Sequence, residues 1–184
     1  PQAVVQGYSL LFILGFAAGL IGVITLAVIP EPEMTRSEKS FFTALVAPFR
    51  NRNFKRLMVF IGGWSFTVNL AAPFFTVYML DRLQTGMSLV VVLSVISQLF
   101  NFGFLGLWGR FSDRFSNKSV LAVSGPLFML CILAWTFTTF PEKHALTLPL
   151  LILIHMVMGI ATAGISIASG NIGLKLAPRG QATV

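Results

Sequence analysis

Polar side chains are scarce in this sequence, so those set deep among apolar neighbours are its candidates for chemistry. Trp64, Ser65, Asn69 and Tyr78 fall in one long apolar stretch, and Gln98 and Asn101 in another. His155, Ser166, Ser169 and Asn171 fall in a third. Amides, hydroxyls and an imidazole in such places suit hydrogen bonding to a polar solute, because polar groups within lipid are costly and usually face a protein interior. His155 adds a group whose protonation could be coupled to a conformational change. Catalysis finds less support. There is no cluster of metal-ligand residues, no nucleophile paired with a base and no phosphate-cradling glycine loop, so no metal, no cofactor and no enzymatic reaction are expected. The three-residue glycine repeat from Gly103 to Gly109 lacks a preceding strand. A second concentration of chemistry is GRFSDRFSNKS at 109–119, where Arg110, Asp113, Arg114 and Lys118 gather in a chain that is 10% charged.

The elements that must hold these residues are set by composition. The 184 residues are 55% hydrophobic and include 18 Phe, with a mean hydropathy of +0.83, which excludes an ordinary water-soluble domain. Asp, Glu, Lys and Arg are absent from 1–30, 57–80, 83–109, 119–141 and 144–174. A bilayer core of about 30 Å takes about 20 apolar residues to cross as a helix, so each run fits one span and none fits two. A β-barrel would alternate apolar and polar residues over segments of about ten, whereas LFILGFAAGLIGVITLAVI and LPLLILIHMVMGI are apolar on every face. The expected fold class is all-α, a polytopic transmembrane helix bundle of five spans. The expected segments are a first span at 1–29, a linker at 30–56 and a bundle at 57–184, with spans at about 57–80, 86–108, 119–140 and 147–173. A signal peptide is a poor account of the first run, which lacks a basic leader and is too long.

The net charge of +7 reports orientation rather than nucleic-acid binding. Lys and Arg number six in 31–56, one in 81–82, three in 110–118, one in 142–143 and two in 175–184. High and low counts alternate, which places 31–56, 110–118 and the C-terminus in the cytoplasm and the N-terminus outside. Cys131, the single cysteine, excludes a disulfide within the chain and reads as packing. Asn117-Lys118-Ser119 matches a glycosylation acceptor, unused on the cytoplasmic side.

The linker carries nine of the nineteen charges. Thr35 and Glu38 have capping-box spacing. Phe41, Phe42, Leu45, Val46 and Phe49 share a face beside Lys39, Arg50 and Arg52, as in a helix lying at the membrane interface. Short turns near 81–88 and 140–147 make antiparallel neighbours of the spans they join. Gly15, Gly19 and Gly22, then Gly103, Gly106 and Gly109, then Gly159 with Ala163 and Gly164 with Ala168, are spaced for close helix approach. Pro73 and Gly125-Pro126 are expected to bend their helices.

GRFSDRFSNKS reads first as a cytoplasmic turn in which Gly109 ends one helix and Asn117 or Ser119 begins the next. Its basic residues fit that side, but a carboxylate contributes little to topology, which leaves Asp113 unexplained. Gly109, Asp113, Arg114 and Lys118 resemble the signature of the major facilitator superfamily: Gly, three residues, Asp, a basic residue, one residue, Gly, one residue, then two basic residues. Ser116 stands at the second glycine position and Ser119 replaces one final basic residue, departures that suit the looser second copy of the motif. A helix, a basic linker, a helix pair, the motif and a further helix pair resemble helices six to ten of the family's twelve, in effect an incomplete C-terminal half of that fold. The start at Pro1 and the stop after a basic connection likewise suggest a piece of a longer chain. FKRLMVFIGGWSFTVNLAAPFFTVYML and LKLAPRGQATV resemble bacterial members, which implies a multi-pass protein of the bacterial inner (plasma) membrane.

What the resemblance implies is secondary transport of a small solute by alternating access, with partners in the lipid bilayer, the solute, a coupling ion and the remaining helices of the same chain. It implies that the loop latches a cytoplasmic gate, with Asp113 facing the positive end of a neighbouring helix, a contact that stabilises by roughly 0.3 to 1 kcal/mol. The family's seventh, eighth and tenth helices line the cavity, which singles out Asn69, Gln98 and His155, with Asn101 beside them. No carboxylate lies in the spans, so a carboxylate proton carrier would belong to other helices. Gly125-Pro126 is not the family's antiporter signature, which belongs to its fifth helix. The alternative is a related membrane protein that moves lipid or assists assembly. A polar cavity spanned by Asn69, Gln98 and His155 would favour solute transport, and an apolar groove open to lipid would favour the alternative.

Overall fold

Helices long and apolar enough to cross a membrane dominate the computed structural model, which describes residues 2–30, 46, 49–140 and 142–176. There is no strand among the described residues. The chain divides into two compact units, 1–38 and 39–184. The first holds helix α1, Gln2–Val28. At 1.5 Å per residue it is about 40 Å long, more than a bilayer core. Phe12 and Phe16 on it are more than 70% exposed. The interfacial helix expected between 30 and 56 lies largely outside the described residues.

The second unit holds four long helices. α2 spans Arg52–Val77. Asn51 caps its start, its side-chain oxygen accepting from the backbone N–H of Asn53 and Phe54 at 2.9 and 3.3 Å, which satisfies donors the first turn leaves unpaired. α2 continues as a π-helical turn, Tyr78–Arg82. α3 spans Met87–Arg114, α4 spans Asn117–Ala134 and ends in a 3-10 turn at Trp135–Thr139, and α5 spans Thr147–Leu176. Gln84, in the turn before α3, adopts a positive φ of 51°.

α3 does not end at Gly109, as the sequence suggests, but runs on through Arg110 to Arg114. The reason is local: one interior glycine costs a helix only about 1 kcal/mol, and nothing from 110 to 114 breaks it. The turn is therefore just Phe115 and Ser116. Ser116 is the cap of α4, accepting from the N–H of Ser119 at 3.0 Å.

α5 forms the centre of this unit, packed against both α3 and α4. Small residues on it allow the approach: Gly159, Ala161, Ala163, Gly164 and Ala168 are all buried. A Cβ added at Gly159 would run into the Ser97 carbonyl, and one at Gly164 would stand 2.8 Å from Ser124 Cβ. At Gly103, Gly106 and Gly109 an added Cβ would meet open space, so the glycine stripe of α3 is not what packs that helix among the described residues. One apolar cluster joins Met79, Leu83, Leu93, Cys131, Trp135, Leu151 and Ile154, and another joins Phe128, Ala161 and Ile165. The outer faces carry Phe66, Phe74, Leu99, Phe102, Met129, Leu130 and Leu133, all more than half exposed. A continuous apolar surface of this kind belongs in lipid rather than water.

Candidate functional site

Two polar places lie within the second unit. The first is a groove of about 250 Å³ between α2 and α5, lined by Trp64, Ser65, Asn69, Thr162, Ser166 and Ser169 together with Phe60, Ile61, Val68 and Ile165. On α5 the three hydroxyls are spaced i, i+4 and i+7, and on α2 Ser65 and Asn69 are spaced i, i+4, so each set shares one face of its helix. Asn69 is exposed and donates from Nδ2 to the Ser65 carbonyl at 2.8 Å. That leaves its amide oxygen to accept from a solute. Thr162 donates back to the Met158 carbonyl at 2.8 Å. The hydroxyl of Ser169, a residue only 9% exposed, has no hydrogen-bond partner. A buried hydroxyl left unpaired costs about 1 to 3 kcal/mol.

The other expected cavity residues stand elsewhere. Gln98 is exposed on α3, and Asn101 is half-buried on the same helix beside Gly159 of α5. His155 is buried, its Nδ1 donating to the Leu151 carbonyl at 2.8 Å and its ring edge-on to Trp135 at 5.7 Å. None of these three lines the groove that holds Asn69. Tyr78 belongs to the end of the unit away from the motif, where its hydroxyl lies 2.9 and 2.6 Å from those of Thr138 and Thr139. Thr147 donates to the Thr138 carbonyl and Lys143 to the Leu83 carbonyl, both at 2.8 Å, so the ends of α2, α4 and α5 are tied there.

Next to this groove, sharing Phe60, Trp64 and Val68 with it, α2 borders an apolar crevice of about 360 Å³. Its walls include Ala71, Phe75, Phe128, Met129, Ile132 and Met158.

The second polar place is the end that carries GRFSDRFSNKS. Asp113, Arg114 and Lys118 are exposed, and Gly109 is half-buried within α3. The Arg114 guanidinium lies over the Phe115 ring, 5.5 Å from its centre, a cation–π contact. Beneath these charges lies a neutral network that sequence reasoning missed. The Ser112 hydroxyl donates to the Asn117 side-chain oxygen and accepts from Asn171 Nδ2 at 3.3 Å. Ser112 and Asn117 are 2% and 5% exposed. The burial of Asn117 also removes it as a glycan acceptor. Its signal in the sequence is faint: one serine and two amides in three different helices.

A family model described as Major Facilitator Superfamily matches residues 3–184. No curated protein and no solved structure matches the chain.

Proposed function

The chain belongs to the major facilitator superfamily, a family of transporters of the membrane, and from that premise we propose that it serves secondary transport of a small, uncharged, hydrogen-bonding solute by alternating access. The observation that carries the solute class is the groove between α2 and α5. Among the described residues it gathers an amide, an indole and four hydroxyls and no charged side chain, and it keeps the Ser169 hydroxyl buried and unpaired. An uncharged polar solute would complete those bonds, whereas an ion would leave a charge in a poorly solvating wall. Residues 31–56, 110–118 and the C-terminus face the cytoplasm in this reading, following the Lys and Arg asymmetry. Asp113, exposed and without an ion-pair partner among the described residues, is the carboxylate that latches the cytoplasmic gate.

The apolar crevice beside the groove supports a second reading, movement of a lipid chain, because its walls are almost wholly apolar. Cysteine accessibility separates the two. In the full-length protein with Cys131 and every other native cysteine replaced by Ser, Ser166→Cys and Ala71→Cys variants are treated with a charged maleimide and with a lipophilic one. Solute transport through the groove requires that the charged reagent modify Ser166→Cys. Modification of Ser166→Cys by the lipophilic reagent alone, with Ala71→Cys equally reactive to it, supports the lipid-moving reading instead.

A further inference from the structure

We infer that Asn171 is the positioning residue of the gate turn: through Ser112 it fastens the α3–α4 turn to α5, so that Asp113 moves with the helix that carries the solute groove. This inference rests on the gate reading of Asp113 given above.

The geometry is a line of hydrogen bonds across three helices. Asn171 on α5 donates to the Ser112 hydroxyl on the last turn of α3. The same hydroxyl donates to the side-chain oxygen of Asn117, the first residue of α4. Ser112 is therefore used on both its donor and acceptor sides, and it adjoins Asp113 in the chain. The network is neutral and its Ser112–Asn117 bond is buried, both residues being at most 5% exposed, while Asn171 is half-buried. A bond between neutral groups in such a place is not screened by salt, and a lost partner leaves a buried group unpaired. Holding two helix ends to a third requires a partner that reaches across a helix interface, and the amide of Asn171 does so.

α5 gives this joint its functional meaning. Ser166 and Ser169 line the groove, and Asn171 follows on the same rigid helix, about 8 Å along the axis from Ser166 at 1.5 Å per residue. Gly159 and Gly164 seat α5 directly on α3 and α4, and Trp108 of α3 donates to the Ile160 carbonyl of α5 at 2.8 Å. A displacement of α5 caused by a solute in the groove thus reaches the turn through packed helix and two hydrogen bonds. Asp113, on the surface above, takes its position from that turn.

The test compares three variants in the full-length protein carrying Ser166→Cys, with Cys131 and every other native cysteine replaced by Ser: Asn171→Ala, Ser112→Ala and Asp113→Asn, with Ser112→Thr as the hydroxyl-keeping control. The readout is the ratio of labelling rates by a charged, membrane-impermeant maleimide in inside-out and right-side-out vesicles. A purely structural role would change the amount of folded protein in both preparations alike and leave the ratio unmoved. The inference expects Asn171→Ala and Ser112→Ala to shift the ratio toward cytoplasmic access by roughly tenfold, the size of one lost buried hydrogen bond, as Asp113→Asn also does, and Ser112→Thr to keep the parent ratio. If Asp113→Asn shifts the ratio while Asn171→Ala and Ser112→Ala do not, the inference is overturned and the gate reading stands. If Asp113→Asn leaves the ratio unmoved, the gate reading falls, and the inference with it. Ser112→Ala decides the matter on its own should Asn171→Ala fail to fold.

Discussion

The backbone of Gly159 lies against the carbonyl of Ser97 so closely that a Cβ has no place there. This contact brings α5 onto α3 and fixes the depth of both in the bundle. Gly159→Ala should therefore destabilise the folded protein by about 1 to 3 kcal/mol through overpacking. Gly106→Ala, where an added Cβ meets open space, should be neutral or stabilising by up to about 1 kcal/mol, the helix-propensity gain of alanine over glycine. Thermal unfolding in detergent, followed by the loss of the monodisperse peak, orders the two variants. Equal midpoints would mean that α3 and α5 do not cross at Gly159.

The glycines also show where the sequence stops being legible. The spacing of Gly103, Gly106 and Gly109 is as regular as that of Gly159 and Gly164, but only the latter pair meets a neighbour closely. Which stripe is used depends on which helix lies across it, and that is a non-local fact. The existence of five membrane-crossing helices was legible because charge is absent from each run, whereas the end of α3 was not, since a cluster of charge marks a membrane boundary and not a helix boundary. For the groove, Ser65, Asn69, Ser166 and Ser169 were readable as polar residues in apolar helices. Thr162 was not, because a threonine within a helix ordinarily bonds its own backbone, as Thr162 does to Met158. The pairing of Ser112 with Asn171 spans 59 positions, and no local pattern announces it.

Ser169 gives a prediction with an uncommon sign. Its hydroxyl is buried without a partner, so Ser169→Ala removes an unpaired polar group and should raise stability by about 1 kcal/mol. A fall in the unfolding midpoint of that size would show that the hydroxyl is already bonded in the empty groove, and the argument for a solute partner would be lost.

Tyr78→Phe deletes the hydroxyl held by Thr138 and Thr139 while keeping the ring that packs on Trp135 at 5.9 Å. The expected loss is about 1 to 2 kcal/mol, with the end of α2 released first. Hydrogen exchange over residues 74–86 should rise in the variant while exchange over 150–165 holds. Uniform change across both segments would argue against a local tie.

Asp113→Asn should leave membrane insertion and protein level unchanged while impairing transport, because the carboxylate is exposed and serves neither the core nor topology. Membrane fractionation and quantitative blotting check the first half. A variant absent from the membrane would assign Asp113 to folding rather than to the gate.

Alternating access itself is tested most directly by the reactivity of a single cysteine at position 166 in the full-length protein, with Cys131 and every other native cysteine replaced by Ser. The account predicts that a charged, membrane-impermeant maleimide reaches it from both faces of the membrane, and that Asp113→Asn raises the cytoplasmic rate while lowering the rate from outside. Modification from one face only, in the parent and in Asp113→Asn alike, would contradict it.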